Sequence, residues 1–398
     1  MARLRHAASL VRGTGFPPDS QGQVDGDLPF FKVGDFSNTG NETYLAQCDN
    51  WISEATASRL RARPVPEGTV LLPKIGAAML LGSRRITTRR SVFDNNVLGI
   101  VPSNVDERYL RYWLVTVDLR PLANPGPVPS LDDDALLDLA LPLSGRSRQR
   151  AIADYLDAET ARIDALVATL TVANALLDAW LDTQIDSLVW SATEDVVPLM
   201  RLCSDDRKIQ YGIVLPGPDV DDGVPIVKGG DLLSGALRGE GLAKTTYEIE
   251  AGFARSRLQV GDVAFAIRGA VGACAMVPSD VAGANITQDV AMIAHTEHVD
   301  PTWLWFALRS HAVQRQAEAR ILGATIKGIN IRDLKRLKLP RLDFRLQREI
   351  ASELVLAQSH HDNLLAARSS QINLMKERRQ ALITAAVTGQ IEIPGVAA

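Results

Sequence analysis

Two stretches of this sequence contain neither glycine nor proline, Arg146 to Val197 and Arg341 to Thr388, whereas the 29 glycines and 20 prolines are spread through the remainder. Those two residue types break or punctuate helices, so each stretch is free to form one long helix and the remainder reads as shorter elements joined by turns. In the first stretch Ile152, Leu156, Ile163, Leu166, Leu170, Ala173, Leu177, Leu181, Ile185 and Leu188 advance by three, four or seven, which places them on one face. In the second, the stripe runs Ile350, Leu354, Ala357, Leu364, Ile372, Met375, Leu382 and Ala386, with polar interruptions at His361, Arg368 and Arg379. Each apolar stripe needs a partner, and the nearest one is the other stripe, packed antiparallel as a coiled coil. At about 1.5 Å per residue such a helix is about 65–70 Å long. That is close to two turns of B-DNA at about 34 Å each.

The segments between the helices repeat. Pro29, Lys32, Gly34 and Asp35 return as Pro225, Lys228, Gly230 and Asp231, and the glycine pair Gly68 and Gly76 returns as Gly261 and Gly269. Leu131, Leu136, Leu139, Leu141 and Pro142 return as Ile329, Leu334, Leu337, Leu339 and Pro340, and the register continues into the helices, where Gln149, Arg150 and Ile152 match Gln347, Arg348 and Ile350. A nearly constant offset across two kinds of element points to an internal duplication. The predicted order is a globular unit over 1–143, a helix over 144–195, a second globular unit over 196–340 and a second helix over 341–398. Runs such as Thr69-Val70-Leu71-Leu72 and Asp262 to Ile267 read as strands, while Arg108 to Val115 and Thr302 to Leu308 read as short amphipathic helices. The expected fold is therefore α+β: two mixed α/β domains in tandem repeat, separated by two long antiparallel helices, with pseudo-twofold symmetry.

Several functions find no support. Cys48, Cys203 and Cys274 have no metal-ligand spacing and cannot form an even disulfide set, which fits a reducing cytoplasm. The start of the chain lacks the apolar core of a secretory signal, and no run is expected to reach the length needed to cross a bilayer. There is no Gly-Lys-Ser/Thr phosphate loop, the six histidines lack partners at ligand spacing, and the Asp-x-Lys triplets at Asp206 and Asp333 lack an upstream Pro-Asp. Neither catalysis nor a bound metal is expected. A net charge of −4 does not mark the chain as a nucleic-acid binder, so any DNA surface must come from local clustering.

Six runs carry a family resemblance. QRAIADYLDAETARIDAL (Gln149 to Leu166) closely resembles the central conserved region of type I restriction-modification specificity subunits. LQREIASEL (Leu346 to Leu354) and ERRQALITAAVTGQIEI (Glu377 to Ile393) resemble the family's C-terminal conserved region. PFFKVGDFS, VLLPKIGAA and LGATIKGINIRDLKRLKLP resemble the framework of its target-recognition domains. The resemblance implies two target-recognition domains, each reading half of an interrupted site on double-stranded DNA, held apart by helices that dock two modification (methyltransferase) subunits. It also implies restriction (endonuclease and translocase) subunits in the assembly. S-adenosylmethionine, ATP and magnesium would belong to those partners, with no cofactor in this non-catalytic chain, and the location would be cytoplasmic, away from membranes.

Phosphates are neutralised by Lys and Arg, while base edges are read by a few side chains in the grooves. The densest cationic cluster is Arg84, Arg85, Arg89 and Arg90, interleaved with Thr87 and Thr88. In the second repeat Lys228, Arg268 and Lys327 each lie beside a glycine that admits a phosphate, and Gln288 is a candidate adenine reader. Lys32 and Lys74 are their analogues in the first repeat. A protein-binding coiled-coil scaffold without DNA reading is the alternative, supported by the acidic balance and by the run Asp132-Asp133-Asp134.

Overall fold

The structure, a computed structural model, describes residues 2–191, 194–321 and 327–393. The two stretches without glycine or proline form unbroken helices of 45 residues each, Arg146–Trp190 and Phe344–Thr388. The chain divides into two compact units, and the division falls inside both helices: one unit comprises Met1–Thr169 with Ser370–Ala398, the other Leu170–Ser369. Each unit therefore holds part of each long helix.

Within the first unit the helices run antiparallel. Ile152 and Leu156 share a core with Ile383, Ala386 and Val387, and farther along Arg379 Nε donates to Asp164 Oδ1 at 2.9 Å. In the second unit Leu181, Ile185 and Val189 share a core with Ile350, Ala351 and Leu354. There His361 Nε2 meets Asp178 Oδ1 at 2.8 Å and Arg368 Nη1 donates to the Ala173 carbonyl at 2.9 Å. Of the residues expected in this seam, Leu156, Ile163 and Leu354 are buried and Leu170, Leu177, Leu364, Ile372, Met375 and Leu382 are half-buried. Leu166 departs from the expectation at 47% exposed. Val167 takes the half-buried position one residue on, and a step of one residue turns a side chain by about 100° around the helix.

A second expectation also fails. Among the described residues Arg146–Trp190 is long and apolar enough, by length and composition, to cross a membrane: an 18-residue window has a mean hydropathy of 1.4, and 6% of that window is buried. Alanine, leucine and valine fill several faces of this helix rather than one stripe, and its Asp164 and Asp178 are paired with Arg379 and His361.

The two units are built on one plan. In the first, a sheet runs in the order Ala8–Arg12, Val97–Pro102, Val70–Pro73, Arg85–Thr87 and Tyr44–Leu45. Beside it Leu28–Phe31 lies between antiparallel Trp51–Ile52 and parallel Val92–Phe93. In the second, Val263–Ala266 lies between Val290–Ile293 and Cys274–Met276, with Gln210–Tyr211 at the edge. There Val224–Val227 lies between antiparallel Lys244–Thr245 and parallel Asn285–Ile286. Val70–Pro73 and Val263–Ala266 are buried along their whole length, as continuous apolar runs in a sheet covered on both faces should be. The fold is thus α+β, with two mixed α/β units and a pair of long helices that are antiparallel in each.

The plan extends to single hydrogen bonds. Helix Glu107–Thr116 is capped by Asp106, whose Oδ1 accepts from the N–H groups of Arg108 and Tyr109 at 3.1 and 3.2 Å. Helix Pro301–Arg309 is capped by Asp300, which accepts from Thr302 and Trp303 at 2.9 Å each. Such a cap satisfies amides that have no partner within the helix. A buried glutamine from a long helix then secures each cap. Gln149 Oε1 accepts the Asp106 N–H at 2.8 Å while its Nε2 donates to the Ser144 carbonyl at 2.6 Å. Gln347 does the same with Asp300 at 2.9 Å and Leu342 at 2.9 Å.

Candidate nucleic-acid interface

The residues singled out in the second repeat meet at one end of its sheets. Val224–Val227 delivers the exposed Lys228, Val263–Ala266 delivers the exposed Arg268, and Gln288 precedes Val290–Ile293. Arg268 Nη1 donates to Gln288 Oε1 at 3.0 Å. Arg268 also forms a bridge with Gly328, and Gly269 N–H donates to the Lys327 carbonyl at 3.2 Å, which brings the exposed Lys327 alongside. Gly229 completes the approach: a Cβ there would stand 3.4 Å from the Arg268 carbonyl. Four polar side chains on four connections thus share one solvent-facing edge. Residues 322–326 of the LGATIKGIN run lie outside the described residues.

The first unit repeats the arrangement. Lys32 follows Leu28–Phe31 and Lys74 follows Val70–Pro73. Lys74 N–H donates to the Asn96 carbonyl at 2.8 Å, just as Ile267 N–H donates to Asp289 at 2.8 Å. That equivalence places Asn95, which is exposed, at the position of Gln288. Asn95 is a further candidate for an adenine edge, and the sequence comparison missed it. The signal was present but shifted, because the offset between repeats is 196 at the Lys32 strand and 193 here. Lys32 Nζ donates to Gln21 Oε1 at 3.0 Å, and its N–H donates to Asp35 Oδ2 at 2.6 Å. Burial pushes the carboxyls of Asp35 and Asp94 above the usual range despite these and neighbouring hydrogen bonds.

The arginine cluster does not act as one surface. Arg84 is 2% exposed and faces inward, and the Nε atoms of Arg84 and Arg85 are buried without partners. Burial, with Arg85 close by, brings the Arg84 pKa down to about 10. Arg85 is half-buried and donates Nη2 to the Phe36 carbonyl at 3.3 Å. Arg84 is therefore withdrawn from solvent and offers nothing to a phosphate. The exposed pair remains: Arg89 lies over the Trp51 ring at 5.5 Å and Arg90 pairs with Glu54. Both stand before Val92–Phe93 whereas Lys32 stands near Asp94 beyond it, so the structure puts these cations at opposite ends of one strand.

These paired sheets with capped helices and two shared long helices define the fold of a type I restriction-modification specificity subunit. A chain from a structure describing complex assembly and conformational transition of the type I R-M system superposes with a TM-score of 0.74 at 14% identity, covering 98% of this chain and 97% of that one. The HsdS subunit from Thermoanaerobacter tengcongensis superposes at 0.56 with 15% identity, covering 98% and 96%. In sequence the chain is similar to the type I restriction enzyme EcoBI specificity subunit of Escherichia coli, 24% identical over 293 residues. That match takes in 66% of this chain and spans 61% of the relative's length. No family model matches.

Proposed function

We propose that this chain is the DNA-reading subunit of a type I restriction-modification assembly, with each unit reading one half of a two-part site. The observation that carries the reading is the repeated polar edge: Lys228, Arg268, Gln288 and Lys327 in one unit, and Lys32, Lys74 and Asn95 at the matching end of the other. Cations on an exposed edge bind phosphates and release counterions, and a neighbouring carboxamide is suited to reading a base in the major groove. A duplicated reader suits a target of two half-sites.

The chain itself is proposed to be non-catalytic and cytoplasmic. Two modification subunits carrying S-adenosylmethionine would dock on the long helices, and restriction subunits would bring ATP and magnesium. Apolar exposure on the helices favours docking: in the second unit Val172, Leu176 and Trp180, spaced by four, are 60%, 66% and 39% exposed. Large apolar side chains aligned in this way on a soluble helix mark a contact surface. The deciding experiment replaces residues 1–143 with the equivalent unit of another specificity subunit and maps methylated adenines in host DNA. One half of the recognised sequence should change while the other stays. Change in both halves, or in neither, would overturn the two-reader assignment.

A further inference from the structure

The second unit contains a cleft of about 310 Å³, walled by residues 232–235 and the turn 271–274 and floored by Arg309 and Gln314. Arg309 is the single charged side chain among the lining residues. Its guanidinium lies over the Trp305 ring, 4.6 Å from the centroid, and among the described residues its hydrogen bond is to the neutral Gln358 Oε1 at 2.9 Å. No ion pair forms within 4.0 Å among the described residues; Asp182 and Asp362 act on it only from a distance. Burial pushes its pKa below the ordinary arginine value.

The rest of the floor has no donors to offer, because Gln314 Nε2 is spent on the carbonyls of Gly272 and Leu308 at 3.1 and 2.7 Å. Gly272, at φ +98, packs so closely on Gln314 that a Cβ would meet Oε1 at 2.0 Å. A guanidinium carries five N–H donors, and Arg309, which lines this cleft, gives one of them to Gln358. A half-desolvated cation without a carboxylate costs free energy that a matching anion offsets, and a guanidinium presents paired donors to the oxygens of an oxyanion. The equivalent position in the first unit, counted from Asp106 as Arg309 is from Asp300, is Val115, so this feature is confined to one repeat.

We propose that the Arg309 cleft binds a phosphate-type oxyanion, supplied either by the DNA backbone or as a free phosphate. The backbone source rests on the DNA-reading function proposed above; the free source does not, so the two stand or fall separately. The test uses the full chain, wild type beside Arg309→Gln and Ser234→Glu, the latter placing a carboxylate at the exposed rim of the cleft without altering its interior. The Trp305 indole N–H, which donates to the cleft-lining Cys274 carbonyl at 3.2 Å, is the reporter in an NMR titration with inorganic phosphate against chloride at constant ionic strength. A saturable shift of this signal, lost in both variants, establishes the free source. If the signal does not move but the salt slope of duplex binding falls by about 0.9 in both variants, the release expected for one phosphate, the backbone is the source. A stationary signal together with an unchanged slope in Ser234→Glu overturns the proposal, whether or not Arg309→Gln folds. Absence of all duplex binding in the wild type removes only the DNA reading and leaves the phosphate titration to decide.

Discussion

Replacing Gln149 with leucine should damage the first unit selectively. The glutamine is 1% exposed and satisfies two backbone groups at once, the Asp106 N–H that begins the helix Glu107–Thr116 and the Ser144 carbonyl that precedes the first long helix. Leucine keeps most of the volume but makes neither bond, and a buried backbone group left unpaired costs about 1–3 kcal/mol. Because the Ser144 carbonyl is only part-buried, the expected total is about 2–4 kcal/mol, or a fall of about 5–15 °C for a unit of this size. Calorimetry measures the loss, and amide hydrogen exchange locates it. Exchange should accelerate in Glu107–Thr116 and remain unchanged in Pro301–Arg309. Gln347→Leu should give the mirror result, through Asp300 and Leu342. A loss under about 0.5 kcal/mol, the level of an ordinary surface change, or accelerated exchange in both helices from one substitution, would refute the idea that each glutamine locks its own unit.

Arg268→Ala should weaken duplex binding and lower the slope of log affinity against log salt by about 0.9, whereas buried Arg84→Met should leave the slope alone and hold or raise the melting temperature, since a buried unpaired charge is removed; equal loss of slope in both would contradict the inward orientation of Arg84. Burial pulls the His361 pKa down, but hydrogen bonds to Asp362 and Asp178 outweigh it and hold the value above normal. Its contribution to the second unit is therefore full below the unfolded value near 6.5 and lost as pH rises through the folded one, so a stability profile from pH 5 to 9 should slope down in the wild type more than in His361→Gln. Burial pushes the thiols of Cys203 and Cys274 up to about 12, and at pH 8 a disulfide reagent should label them far more slowly in the folded protein than in denaturant; matching rates would show that these sites open freely.

What the sequence disclosed and what it concealed follow from how far apart the deciding contacts lie. The long helices were legible because a missing glycine or proline is a local fact, and the repeat was legible because Gln149 and Gln347 stand in matching surroundings. Arg84 was misread because a run of arginines looks solvent-facing, while its surroundings include residues distant in sequence such as Arg111, 27 residues on, whose Nε donates to the Arg84 carbonyl at 3.0 Å. Leu166 was misplaced because two neighbouring apolar residues compete for one inward position. Arg309 drew no notice because a cation at the end of a short helix is commonplace; only the fold sets the turn 271–274 over it. Asn95 was hidden by a three-residue change of offset between the strands that flank it.

The second unit is a single run of chain, Leu170–Ser369, whereas the first is closed by a segment made after it, Ser370–Ala398. Ile383, Ala386, Val387 and Ile393 complete the first unit's core. During synthesis, therefore, the part translated earlier must wait with apolar surface uncovered until the later part has emerged, the reverse of the usual order in which domains fold as they leave the ribosome. A released chain ending at Ser369 would hold the whole second unit and an unfinished first one.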